Sequence, residues 1–470
     1  MNSKSLTKNQ LLQLLLSAVV YLVLMLIPMP GLSPEGQKAL AILGWIIVVL
    51  ITKCLPTMLT NIIFAAGIIL TGILGQGPLF AAFGTSPFIL VMGLSVVALG
   101  MSKTNLGARI AYTLIRWVGK TPSLLVLAIC LTGTILSTLI VNLPALLAVC
   151  PIILSVLKEL NEAPGESNLG KAMFLGLIWS GGIGGLVLIS SNGNNAAGVG
   201  AFAQATGGAM SISYGQWALF GIPMAIVMVI PSWLFLSAWF KVNKTSHSLD
   251  PQMAKNRLAE LGPINQEEIR YIVILVLMIL GFFLGGKFGI SAPTIALLAM
   301  ILMLAPYVGL IDFEEAQKNI NWSMLFQVGF FVGFAGAITG TGLGEWITSF
   351  FTRWTTGGSL ITLIVVVNIL GHIAAFLVPG GGAAIMLVPS VAAMANAADV
   401  NPALLTLVLL RVCSCSVYNP VQAPFLVVGS CNGGYLDVKD YVIPNIISTT
   451  IWTIVCIPLF YFLAPLAGMG

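Results

Sequence analysis

The sequence predicts an all-α, polytopic membrane protein, and three observations carry that prediction. Hydrophobic residues make up 58% of the 470, and charged residues only 7%. Apolar runs of bilayer-spanning length recur from residue 11 to residue 466. These runs, such as LLQLLLSAVVYLVLMLIPM (11–29), are apolar on every face, whereas a membrane β-barrel needs short strands alternating with a polar interior. The chain has two histidines, no HExxH, no nucleotide-binding loop and no paired carboxylates within its apolar runs. An enzyme or an ATP-driven pump therefore lacks its working parts. No nucleic-acid partner and no cofactor are expected, apart from a sodium ion. The first run follows Lys4 and Lys8, is longer than a signal peptide's apolar core, and has Pro28 and Pro30 where a cleavage site would need small residues. It reads as a retained first helix. Seven cysteines, at 54, 130, 150, 413, 415, 431 and 456, lie mostly in apolar runs without a CxxC pair, and are expected as buried thiols.

Lysine and arginine collect on the cytoplasmic side of membrane proteins, and the order of elements follows from that rule. With residues 1–10 inside, spans at about 11–29, 38–52, 58–75 and 86–101 leave Lys53, Lys103, Arg109, Arg116 and Lys120 inside. Residues 122–159 are flanked by Lys120 and Lys158 and carry a proline in IVNLPALL at their middle, so they form a re-entrant hairpin opened from the cytoplasm. Spans near 170–213 and 215–240 return the chain to 241–270, the longest polar stretch, net basic and inside. Spans at about 271–287, 291–307 and 321–342 follow, then a second hairpin over 358–397 opened from outside, then spans at about 402–435 and 444–466. Of the twenty Lys and Arg, Lys38, Lys287 and Arg353 fall outside, Arg411 falls in the membrane, and all the others are cytoplasmic. The expected architecture is about 11 transmembrane helices plus two re-entrant hairpins, in the inner or plasma membrane with the N-terminus cytoplasmic.

The two hairpins are related. TNLGARI (104–110) recurs as TGLGEWI (341–347), and VNLPALLAVCP (141–151) recurs as PGGGAAIMLVP (379–389), at offsets of 237 and 238 residues. Because one hairpin opens from each face, the repeat is inverted, the arrangement of secondary transporters that alternate access around a midplane site. Residues 1–120 and 271–356 then belong to a scaffold, 121–240 and 357–470 carry hairpins and broken helices, and 241–270 is a cytoplasmic loop.

An unwound turn at membrane depth leaves backbone N–H and C=O groups without helical partners, so it persists where protein, water or an ion satisfies them. Such breaks are expected at VPGGGA (378–383) and in WSGGIGGLVLISSNGNNAAG (179–198), where Ser190, Ser191, Asn192, Asn194 and Asn195 interrupt an apolar span. A third lies in RVCSCSVYNPVQAPFLVVG (411–429). Amides and hydroxyls both donate and accept, and suit a polar ligand taken from water. They also serve to stitch helices together. The residues expected to meet a substrate are Asn142, Ser191, Asn192, Asn194, Asn195, Gly380, Gly381, Arg411 and Asn419.

With the GLG-containing amphipathic segments before each hairpin and the paired broken spans, the chain over about 35–465 resembles the divalent anion:sodium symporter family. Those carriers of dicarboxylates, citrate and sulfate belong to a wider ion transporter superfamily. The resemblance implies a Ser-Asn-Thr signature at each hairpin tip with sodium and substrate between the tips, and a homodimer whose protomers each slide a transport unit along a static scaffold. Here the first tip reads Val141, Asn142, Leu143 and the second Pro379, Gly380, Gly381, so only Asn142 remains of the signature. Ser137 matches a serine one turn before the first tip that helps hold sodium in the family, with Ser191 across the site. A sodium retained here would use Ser137, Asn142 and Ser191.

A full positive charge within a span costs about 2.5 to 3.5 kcal/mol on insertion scales. Arg411 should therefore face a bound anion, or else cap loose carbonyls or snorkel to the interface. His372 reads as a packed or interfacial histidine, with a proton-coupling role as the alternative. The function these features predict is secondary active transport of a small anion, di- or tricarboxylate or sulfate-like, with reduced sodium coupling. The alternatives are a proton-coupled or exchange carrier for another organic acid, and an anion channel.

Overall fold

The computed structural model describes residues 7–140, 142–245, 251–355, 359–377, 382–415 and 428–469. Among them every regular element is an α-helix or a short 3₁₀ turn. After α1 (Lys8–Leu26), a first series runs α2 (Pro34–Thr52), α3 (Thr57–Leu70), α4 (Gln76–Ala81), α5 (Ser86–Lys103), α6 (Leu106–Val118), α7 (Pro122–Leu139), α8 (Asn142–Glu159), α9 (Asn168–Gly185), α10 (Gly193–Ala205) and α11 (Tyr214–Trp239). The short α12 (Val242–Thr245) and α13 (Pro251–Glu260) lead into a second series. It comprises α14 (Gln266–Leu284), α15 (Ala292–Leu304), α16 (Phe313–Asn319), α17 (Trp322–Gly340), α18 (Leu343–Thr355), α19 (Leu360–Leu377), α20 (Gly382–Ala397), α21 (Pro402–Cys415) and α22 (Val438–Leu463). The second series repeats the first in order, α2 with α14 through α9 with α21, and α11 with α22. Residues 416–427 lie outside the described residues, and the chain resumes as helix over 428–431.

Side-chain caps begin these helices. Ser33, Thr121, Ser167, Ser213 and Asn265 each accept a hydrogen bond from a backbone N–H of the first turn, and Pro34 and Pro122 open their helices where no N–H is needed. Eight helices among the described residues are long and apolar enough to cross a bilayer. Seven of them, α1, α2, α5, α11, α14, α17 and α22, are expected spans, and the eighth, α7, falls where the inbound arm of the first hairpin is expected. The spans α3 and α15 are shorter, and the span expected at 170–213 is broken between α9 and α10. The outward surface is apolar, with Leu12, Leu16, Leu22, Val276, Leu277 and Leu280 exposed as a lipid-facing bundle requires.

The pieces that frame the break are fixed by tight packing. Gly133 on α7 lies against Ser180 on α9, and Gly184 lies against the Thr134 carbonyl and Ser137, approaches that a β-carbon would block. On the far side, the Trp179 indole N–H of α9 donates to Asn445 Oδ1 of α22 (2.9 Å), and the Trp452 indole N–H of α22 donates to Ser232 Oγ of α11 (2.8 Å).

Two expectations are corrected. The stretch 241–270 is more than a polar loop, because α13 buries Met253 and Ala254 and packs on α6. Cys150 and Cys431 are not separate buried thiols. Their Cα atoms stand 6.3 Å apart, within disulfide range, and the two are paired, while Cys54, Cys130, Cys413, Cys415 and Cys456 are buried and free. A pairing across 281 residues of sequence carries no local spacing to read.

Candidate transport site

The break between α9 and α10 is the best-defined polar feature in the bundle. The helix ends at Gly185, residues 189–191 make one 3₁₀ turn, and Asn192 in extended backbone caps α10 by accepting from the Asn194 backbone N–H (3.1 Å). The orphaned carbonyls are met from within. Asn195, fully buried, donates through Nδ2 to the Gly185 carbonyl (2.7 Å) and the Leu188 carbonyl (3.2 Å). Its Oδ1 accepts from Ser414 Oγ on α21 (2.6 Å). Ser191 Oγ donates to the Thr138 carbonyl at the end of α7 (2.8 Å) and accepts from the Leu188 N–H (3.3 Å). The break is thus strapped to α7 by Ser191 and to α21 by Asn195.

That leaves different groups for a ligand. Both amide hydrogens of Asn195 are committed, so it acts as a strut. Asn194 is half-buried with no side-chain hydrogen bond among the described residues, and Asn192 spends only its oxygen. At the end of α7, Ser137 is fully buried, and among the described residues neither its hydroxyl nor that of Thr134 one turn earlier has a partner. Ser137 packs on Gly184, and Thr138 Oγ1 donates to the Gly184 carbonyl (3.3 Å). Two unpartnered hydroxyl oxygens beside the carbonyl end of a helix fit a small cation, whose ligands are oxygens and whose charge the helix end favours.

Ser137, Ser191, Asn192, Asn194 and Asn195 are therefore gathered around one break. Asn142 opens α8, while its side chain, Gly380, Gly381 and Asn419 lie outside what the structure describes. Arg411 meets the break at Leu186, the cap residue of α9, with which it shares a small cavity. It is 4% exposed, its Nη2 donates to Asn368 Oδ1 on α19, and its guanidinium lies 5.9 Å from the centre of the Phe460 ring on α22. Among the described residues Nε has no partner, and the residue lines a small apolar cavity with Leu186, Trp217, Gly221 and Phe460. None of its hydrogen bonds among the described residues reaches the α9–α10 break. Four residues further along α19, His372 Nε2 lies 2.6 Å from Thr453 Oγ1 of α22, a packed histidine.

Sequence reasoning passed over Ser414, Thr138 and Asn368. Ser414 sits in a stretch already read as a break, and Asn368 is a lone amide in VVVNIL. That isolation is the usable signal, because an amide in an apolar span needs a partner.

The bundle thus combines apolar outer faces with an internally strapped helix break. The profile of the sodium:sulfate symporter transmembrane region matches residues 8–466, and the chain belongs to that family. It is 25% identical over 491 residues to the sodium-dependent dicarboxylate transporter SdcS of Staphylococcus saprophyticus, covering 98% of this chain and 93% of the relative. To SdcS of Staphylococcus aureus strain bovine RF122 it is 26% identical over 490 residues, with the same coverage. Among solved structures, the fold resembles Neisseria gonorrhoeae MtrF, of a class of antimetabolite efflux pumps, with a TM-score of 0.57 and 13% identity over 95% of this chain and 94% of that one. It also resembles the Alcanivorax borkumensis YdaH transporter, with a TM-score of 0.54 and 13% identity over 98% and 97%.

Proposed function

We propose that the chain is a secondary active carrier for a small organic dianion of the dicarboxylate class, taken up with a single sodium ion. The observation that carries this reading is the α9–α10 break. It is held open by Ser191 and Asn195, has unspent amide groups at Asn192 and Asn194, and has the unpartnered Ser137 hydroxyl on the adjoining helix end. The positive ends of α8 and α10 would face the anion, and the carbonyl end of α7 with Ser137 would face the cation. The dicarboxylate relatives support the substrate class, and the distribution of lysine and arginine supports an inverted repeat with re-entrant hairpins and a cytoplasmic N-terminus. A homodimer, each protomer having a scaffold and a moving hairpin unit, follows the same family resemblance.

In this reading Asn142 and the backbone of Gly380, Gly381 and Asn419 complete the site, and Arg411 braces α19 against α21 instead of holding the substrate. The deciding experiment is succinate and sulfate uptake into proteoliposomes under a sodium, potassium or proton gradient. Saturable, sodium-dependent succinate uptake with a Hill coefficient near one for sodium is expected. Sulfate-only uptake would overturn the dicarboxylate assignment, and linear, non-saturating flux would mark a channel.

A further inference from the structure

The first half of the chain carries more positive charge than it can neutralise by itself. Between residues 36 and 249 stand ten Lys and Arg and only three acidic residues, Glu159, Glu162 and Glu166. Three of the ten pair with acids of the second half, Lys103 with Glu315 (2.7 Å), Arg109 with Glu268 (2.9 Å) and Lys171 with Asp440 (3.1 Å). Arg116, Lys120 and Lys241 are left over. All three are exposed, and among the described residues none of their side chains makes an ion pair or a hydrogen bond.

Packing brings these three to one place. Arg116 lies in the last turn of α6, Lys120 in the link to α7, and Lys241 just past the end of α11. Ser123, in the first turn of α7, ties the pieces together. Its N–H donates to Asn243 Oδ1 (3.1 Å), its Oγ donates to Ser237 Oγ of α11 (2.8 Å), and its carbonyl accepts from the Trp233 indole N–H of α11 (2.7 Å). A backbone reach of about 3.5 Å per residue keeps Lys120 within about 10 Å of Ser123, and Lys241 within about 7 Å of Asn243. Beside these charges in the chain stand Trp117 and Trp239, 68% and 44% exposed, amphipathic rings of the kind that settle at the level of lipid headgroups. The start of α7 has little of its own to offer an anion, because the Leu124 N–H is spent on Thr121 Oγ1 (3.3 Å) and the Ser123 N–H on Asn243. Side chains must supply the attraction.

We propose that Arg116, Lys120 and Lys241, flanked by Trp117 and Trp239, bind the phosphate headgroup of one anionic glycerophospholipid where α6, α7 and α11 meet. An arginine fork grips phosphate through paired N–H bonds, and two lysines add point charge. The indoles give the acyl and glycerol part of the lipid an apolar wall, which a soluble anion would not use. A zwitterionic lipid brings its own cation to the headgroup and meets three unneutralised positive charges, so the site discriminates by net charge. A lipid held there links the ends of α6 and α11 to the start of α7 and stabilises that corner of the bundle.

The test is native mass spectrometry of the full chain released from detergent, with dioleoyl phosphatidylglycerol titrated against dioleoyl phosphatidylcholine. The unmodified chain should retain one phosphatidylglycerol in preference to phosphatidylcholine. Each basic residue beside an anionic lipid contributes about fivefold in affinity, so Arg116→Gln and Lys241→Gln should each weaken retention by about that factor, and the triple variant with Lys120→Gln by about a hundredfold. Lys287→Gln, an exposed lysine of the second half, should leave it unchanged. Equal retention of the two lipids, full retention by the triple variant, or an equal loss in Lys287→Gln, which would mark diffuse attraction, overturns the proposal. Thermal unfolding in detergent gives a second reading. The midpoint of the unmodified chain should rise with phosphatidylglycerol and not with inorganic phosphate. A rise with phosphate that equals the rise with lipid would make this a site for a soluble anion and overturn the lipid assignment. If the triple variant unfolds early in phosphatidylcholine alone, its fold is damaged, and the two single variants decide in its place.

Discussion

The pair α7 and α9 and its counterpart α19 and α21 share a packing plan and differ in chemistry. The twelfth residue of each hairpin arm is a glycine pressed against the following helix, Gly133 on Ser180 and Gly371 on Val412. The thirteenth residue of each following helix is a serine, Ser180 and Ser414. At the sixteenth position, however, the first arm has the unpartnered hydroxyl of Ser137 and the second has Ala375. At the tenth position of the following helix, the first repeat has Leu177 and the second Arg411. Close helix contact needs only the glycine, so both pairs can share it while differing in oxygen ligands and charge. One pair carries an unpartnered buried hydroxyl, and the other a buried guanidinium.

The largest effect should come from the strut that ties the halves together. Asn195→Ala strands the Gly185 and Leu188 carbonyls and the Ser414 hydroxyl, at roughly 1–3 kcal/mol for each buried group left without a partner. Thermal unfolding in detergent should move down by several degrees and uptake should be nearly abolished. Full uptake by this variant would show that the break stands without its strut. A smaller, more selective effect is expected at Ser137. Ser137→Ala should weaken sodium stimulation at least about tenfold while leaving fold stability within about 1 kcal/mol, since the hydroxyl has no protein partner to lose. Ala375→Ser asks the converse question, whether one hydroxyl restores a second sodium, read as a Hill coefficient rising above one. Arg411→Leu, which copies Leu177, should have the least influence on transport. Substrate KM should stay within about twofold, with stability shifted by about 1–2 kcal/mol in either direction, because losing the Asn368 contact is offset by removing a buried charge. A large rise in KM would return Arg411 to the substrate.

Much of this plan could be read from the sequence, for reasons visible in particular residues. The paired GLG motifs place α6 and α18 correctly, since amphipathic periodicity is local. The glycine and asparagine run at 179–198 marks a true break, because a helix cannot hide so many polar groups in hydrocarbon. What Asn195 touches could not be read. Its partner Ser414 is 219 residues away, and sequence does not distinguish an amide that binds solute from one that binds its own backbone. Arg411 with Asn368 and Cys150 with Cys431 escaped for the same reason, as did the folding of 251–260 onto α6, which depends on the distant Arg109.

The bonds of Arg109 to Glu268 and of Ser33 to the Thr341 carbonyl also set an order of assembly in time. Arg109 is synthesised 159 residues before Glu268, and Ser33 waits 308 residues for the Thr341 carbonyl. At roughly 5–20 residues per second, the opening helices stand in the bilayer for about 15 to 60 seconds before their partner is made. Neither repeat can finish alone, so the nascent first half must be tolerated by the membrane and its insertion machinery as an open surface until the second half closes over it.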